Sequence, residues 1–242
     1  MKHGLDRVLS WIEKANDDFA WKVIDSMKCK ICGTRRPRRY CPGVQGDICS
    51  VCCGTEREVS VSCPFDCEYL VEARLHEKLP EVDPNQFPNL DIRVSEGFLR
   101  DHEPLLMFLA GALLRASLET PGAVDADVRD ALESLVRTYR TLQSGLIYET
   151  RSENAVAAKI QQRVQASIQE FRQALTQQTG MATLRDSEVL GILAFLQRLA
   201  IQHDNKRPKG RAFLHFLSRY FAPKGQEAGR TEEQPASGLI TP

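Results

Sequence analysis

All eight cysteines of this chain lie between Cys29 and Cys67, and the other 203 of its 242 residues contain none. No other feature constrains the fold so tightly. The order is Cys29-x2-Cys32, Cys41, Cys49-x2-Cys52-Cys53, then Cys63-x3-Cys67. Two thiols on one tight turn reach the same ion, and a second such turn completes a tetrahedral shell. Eight thiolates fill two four-coordinate sites with none left over, so the expectation is two structural Zn2+ ions. The segment 28–70 is rich in Gly, Pro, Arg and Ser and too poor in apolar residues for a core of its own. Such a segment orders itself around metal or against its neighbours. Its short β-type runs, such as Arg57 to Val61, suit hairpins and turns rather than long helices.

The partition of thiols between ions is open at this level. A sequential scheme joins Cys29, Cys32, Cys41 and Cys49, leaving Cys52, Cys53, Cys63 and Cys67 for the second ion. An interleaved scheme joins Cys29 and Cys32 to the Cys52/Cys53 pair, and Cys41 and Cys49 to Cys63 and Cys67. Adjacent side chains at Cys52 and Cys53 diverge, which suggests different ions for the two; of the two schemes the interleaved one is favoured. Cys-only ligation also suits an iron–sulfur cluster. A disulfide framework and a thioredoxin-like pair at Cys29/Cys32 are weaker alternatives, since no βαβ pattern surrounds that pair. A catalytic zinc is disfavoured because no histidine lies between Cys29 and Cys67. His76 is the one histidine near enough to be weighed as a substitute ligand.

Outside the cysteine block the periodicity is helical. Residues 1–27 read as an amphipathic helix, with Leu5, Val8, Leu9, Ile12, Phe19, Val23, Ile24 and Met27 at helical spacing. Residues 68–79 form a trailing helix of the cysteine module. Pro80, Pro84 and Pro88 then break any helix and mark a linker over 80–94. From 95 to 221 only helices are expected. Ser95 caps a short turn, Asp101 caps a helix to Glu119, Asp125 and Ser152 begin the next two, Asp186 or Ser187 begins another, and a last one covers about 209–221. The fold class is therefore mainly α: a small zinc module beside an antiparallel helical bundle. Residues 222–242 are polar and rich in Gly and Glu, the composition of a disordered tail.

The string Arg39-Tyr40-Cys41-Pro42, Asp47-Ile48-Cys49-x2-Cys52-Cys53-Gly54-Thr55-Glu56-Arg57-Glu58, Cys63-Pro64-x2-Cys67-x-Tyr69-Leu70 resembles a family of uncharacterised bacterial proteins. In these, such a cysteine block stands before a helical region. Asn205 to Leu214 is similar to that family's C-terminal part. The resemblance implies a shared architecture and no activity. The spacing is also similar to RING, B-box and HIT-type double-zinc fingers, but those include a histidine ligand and this block does not.

Lys+Arg and Asp+Glu both number 32, so a globally basic nucleic-acid binder is excluded while local patches are not. Residues 28–58 carry seven Lys/Arg against three acids, with Arg35, Arg36, Arg38 and Arg39 on one loop. Residues 198–224 carry seven against Asp204 alone, with Lys206, Arg207, Lys209 and Arg211 where a helix begins. Either stretch suits phosphates, the second through the free N–H groups of a helix N-terminus. No nucleotide-binding loop, metalloprotease motif or nucleophile elbow is present. No apolar run is long enough for a membrane span, and the N-terminus has no signal-peptide core. The expectation is a cytoplasmic zinc protein that recognises rather than catalyses. A protein–protein adaptor or regulator comes first, and a nucleic-acid-binding regulator using the two basic stretches is the alternative.

Overall fold

The computed structural model describes residues 28–78, 80–146, 148–180 and 184–222. The N-terminal helix expected over 1–27 and the tail from 223 onward lie outside them.

The cysteine block folds as a hairpin followed by a helix. Strands β1 (Arg39–Cys41) and β2 (Gly46–Ile48) pair antiparallel, with Arg39 opposite Ile48 and Cys41 opposite Gly46. The two-residue period turns Cys41 and Ile48 inward and leaves Tyr40 60% exposed. Helix α1 (Ser50–Glu56) follows at once, and α2 (Glu68–His76) closes the module. A small core of Cys29, Cys41, Ile48, Cys49, Cys52 and Val61 sits between them. The expected hairpin character holds, but the Cys49-x2-Cys52 turn also opens a helix. Only one isolated bridge, Arg57 to Val61, represents the expected β run.

The mainly α architecture is seen directly. Helices α3 (Glu96–Asp101), α4 (Glu103–Leu118), α5 (Asp125–Gln143), α6 (Ala155–Thr179), α7 (Asp186–Gln202) and α8 (Ala212–Phe221) follow. Helix α5 packs against α6, α7 and α8, while α4 packs against the same three. Val128, Leu132, Leu135, Val136 and Tyr139 of α5 face Ile160, Val164 and Ile168 of α6 in one continuous core. Ser95 caps α3 by accepting from the Phe98 N–H. Gly180 ends α6 in the left-handed region at φ +72°, where a side chain would be strained.

Three helix starts differ from expectation. Asp101 ends α3 instead of capping α4, because the short helix continues through it and His102 becomes the junction residue. Asn154, not Ser152, caps α6, accepting from the N–H groups of Val156 and Ala157. The last helix begins at Ala212 rather than about 209, because residues 205–211 are drawn off to contact the cysteine module. The proline-rich stretch is pinned to the bundle: Asn89 bonds Gln197 and Arg140, and Arg198 donates to the carbonyls of Asn89 and Ile92.

Candidate metal centre

The Sγ atoms of Cys29, Cys32, Cys49 and Cys52 lie within 4.8 Å of one another. Around a zinc ion with Zn–S of about 2.3 Å, tetrahedral sulfurs stand about 3.8 Å apart, so the set fits one four-coordinate ion. A multi-iron cluster needs its ligand sulfurs set wider. Each pair comes from a tight local device. Gly33, at φ +64°, turns its N–H onto the Cys29 carbonyl at 2.7 Å, and the Arg35 N–H points at Cys32 Sγ at 3.5 Å. Cys49 is the N-cap of α1, its sulfur accepting from the Cys52 N–H at 3.4 Å. The Cys49 N–H donates to Cys29 Sγ at 3.2 Å and ties the two turns together. Backbone N–H groups aimed at sulfur favour the thiolate, the form that binds metal.

The electrostatics agree. The Thr34 hydroxyl, helped by the N–H groups of Arg35 and Thr34, pulls the Cys32 thiol down to about 5. Burial pushes Cys29 up, yet the N–H groups of Cys32, Cys49 and Ile31 outweigh it and leave that thiol below its ordinary value. Burial, with Cys49, Cys32 and Cys29 as neighbours, pushes Cys52 up to about 12. Sulfurs this close do not all ionise on their own. A divalent cation removes the repulsion and displaces the remaining protons.

Neither partition drawn from spacing matches this set. Cys49 pairs with Cys52 across two residues, and Cys41 is not among the four. The divergence of Cys52 and Cys53 is realised: Cys53 lies outside the cluster, its sulfur accepting from Arg39 and Arg57 at 3.8 Å each. Cys41, Cys53, Cys63 and Cys67 do not meet the same mutual distance, and one four-thiol group is found among the described residues. Burial raises the Cys63 thiol, and Cys67 and Cys41 are near enough to raise it further. His76 stands apart from both groups, facing a cavity beside Arg74.

The two basic stretches are used unequally. Arg39 stacks on the Tyr69 ring at 4.0 Å, and Arg35 turns to the Cys49 sulfur. Arg36, Arg38 and Tyr40 are each exposed. Much of the 206–211 segment is hydrogen-bonded within the protein itself. Arg207 donates to the Arg57 carbonyl at 2.8 Å, Lys209 Nζ to the Ser60 carbonyl, and Arg211 Nε to the Ala123 carbonyl at 3.0 Å. Lys206 alone of the four is exposed, at φ +56°. The helix N-terminus does hold anions, but they are carboxylates of this chain. Asp125 accepts from the N–H groups of Phe213 and Leu214, and Glu58 accepts from the Arg211 N–H at 2.9 Å.

Glu58 is the residue that spacing and composition did not single out. It is 1% exposed and left-handed at φ +54°. Its carboxylate takes Arg74, Asn205 Nδ2 and the Arg211 N–H, while its carbonyl takes the Lys209 N–H at 2.8 Å. One side chain thus joins the cysteine module, α2 and the loop before α8. Phe65 of the module adds a stack on His215 of α8, with centroids 3.9 Å apart.

No helix among the described residues is long and apolar enough to cross a membrane. No family model, curated protein or solved structure matches the chain.

Proposed function

We propose that this protein is a zinc-dependent recognition module, an adaptor or regulator whose metal holds a binding surface in shape and takes no part in chemistry. The observation that carries this is the closed thiolate set: Cys29, Cys32, Cys49 and Cys52 offer four sulfurs and no open position for a substrate. The remaining thiols, Cys41, Cys53, Cys63 and Cys67, take a second ion in this reading, supported by the nearness of Cys67 and Cys41 to Cys63. Tyr40, Val51 and Val59 are exposed on the module and offer a partner apolar contacts. The resemblance to a bacterial family fits the reading through its shared architecture of cysteine block and helices.

Metal analysis of protein purified without added metal tests it. Two zinc per chain are expected, falling to one in Cys32→Ser and to one in Cys63→Ser. Visible absorbance with iron would sink the zinc assignment, and one ion in the wild type would remove the second site. Affinity capture should lose its specific partners in Cys49→Ser and on chelation; partners retained by demetallated protein would overturn the adaptor role.

A nucleic-acid reading survives on one observation: Arg36, Arg38 and Tyr40 are each exposed within the five residues that lead into and enter β1. Cations beside an aromatic ring suit single strands. Affinity for single-stranded RNA or DNA should then fall steeply with salt and vanish in Arg36→Glu/Arg38→Glu. Unchanged affinity in that variant removes the reading.

A further inference from the structure

A cavity of about 230 Å3 opens where the cysteine module meets the bundle, walled by Arg57, Glu58, Arg74, His76, Glu77 and Arg207. Its charges are not balanced pair by pair. Glu58 and Glu77 both bind Arg74. Glu58 is occupied further by Asn205 and the Arg211 N–H, and so has little left to offer another cation. Arg57 and Arg207 have no carboxylate within salt-bridge distance among the described residues. Both line the cavity, and Arg207 Nη1 donates to the Arg57 backbone carbonyl at 2.8 Å. Arg57 spends one guanidinium nitrogen on the Cys53 sulfur at a long 3.8 Å. Arg74 Nε is a buried donor with no partner among the described residues. His76 lines the same cavity.

We propose that this junction cavity binds a phosphate group, with Arg57 and Arg207 as its principal donors and Arg74 and His76 at its edge. Two guanidinium groups without carboxylate partners in the walls of one cavity attract an anion, and a planar guanidinium matches phosphate oxygens two at a time. The volume sets the size of the ligand. It lies below the roughly 300–1,000 Å3 that holds a drug-sized molecule, so it suits a phosphate group and not a whole nucleotide. Arg57 belongs to the cysteine module and Arg207 to the loop before α8, so the bound anion also fastens the two together. This proposal goes beyond the adaptor reading and does not depend on it.

Isothermal titration of the full-length, metal-loaded protein with inorganic phosphate tests it, with chloride at matched ionic strength as the reference. Saturable binding to one site is expected, with a rise in melting temperature. Arg57→Gln and Arg207→Gln should each weaken it tenfold or more, while Arg137→Gln, on the exposed face of α5, should leave it unchanged. Binding no tighter than chloride, or equal in all three variants, overturns the proposal. If the junction variants do not fold, the wild type still decides. Phosphate should protect Arg57 and Arg207 from phenylglyoxal, read by peptide mass spectrometry, and the absence of protection overturns the site. A phosphoserine peptide that binds tighter than inorganic phosphate assigns the group to a protein partner; a weaker one assigns it to free phosphate.

Discussion

Glu58→Ala tests the junction most directly. The carboxylate is 2% exposed on its side chain and Arg74 is 12% exposed, so the pair is buried on both sides. Removing one partner of a buried pair costs about 3–5 kcal/mol, because the other charge is left without compensation. Arg74 keeps Glu77, whose side chain is 31% exposed, which places the ion-pair loss near the lower limit. Asn205 Nδ2 and the Arg211 N–H also lose their acceptor, and a buried donor left unsatisfied costs about 1–3 kcal/mol. These losses overlap, so the expected total is about 4 kcal/mol. Glu58 also sits at φ +54°, where non-glycine backbone is strained by about 1–3 kcal/mol. Glu58→Gly should therefore be less destabilised than Glu58→Ala, although it removes more atoms. Urea unfolding followed by circular dichroism measures both, and hydrogen exchange at Arg211 to Leu214 should rise in parallel. A Glu58→Ala protein within about 0.5 kcal/mol of wild type, the range of an ordinary surface change, would refute the account of the junction.

Other expectations concern the same region. Gly210→Ala should be destabilised, because a Cβ there would stand 2.3 Å from Asn205 Oδ1 and 3.0 Å from the Arg207 carbonyl oxygen; a melting temperature equal to wild type would contradict that packing. Burial holds the Asp125 carboxyl up at about 7 despite the Phe213 and Leu214 N–H groups, against an unfolded value of 3.8. The folded state then binds more protons between those values, so this group's contribution falls as pH rises from about 4 to 7. Asp125→Asn should remove that slope from stability measured against pH, and an unchanged profile would show that Asp125 does not titrate there. His215 acts in the opposite sense. Burial lowers it from 6.5 to about 4, so its stability is lost on acidification through that window, and His215→Phe should keep more stability at pH 5 relative to pH 7 than wild type does.

Much of the architecture is legible in the residues alone. Clustered thiols announce a metal module, and apolar spacing at 3.6 residues announces each bundle helix. Both signals are local, since a tight turn or a helix face is specified by residues within one or two turns of each other. Helix starts were less legible, because Asp101, Ser152 and the 209–211 segment all carry residues that cap helices elsewhere. The choice among them was made by contacts from distant chain: the cysteine module for the last helix, and the Asn154 side chain against Asp127 and Asp130 of α5 for α6.

The sequence by itself determined that a cysteine block able to hold metal precedes a helical bundle, and which residue types would hold an ion. Tertiary structure alone decided which thiols converge, since the Cys29 turn reaches Cys49 through the pairing of β1 with β2 and not through spacing. It also decided the fate of the basic residues. Lys209 and Arg211 look like phosphate contacts when counted as charges, but the fold brings backbone carbonyls of distant chain to both side chains, while Arg207 lines the junction cavity. Glu58 is one acid among 32 in the sequence, and nothing local marks it. Its role exists only once residues 150 positions away are packed against it, where burial makes each unmet donor costly and one carboxylate can answer three of them.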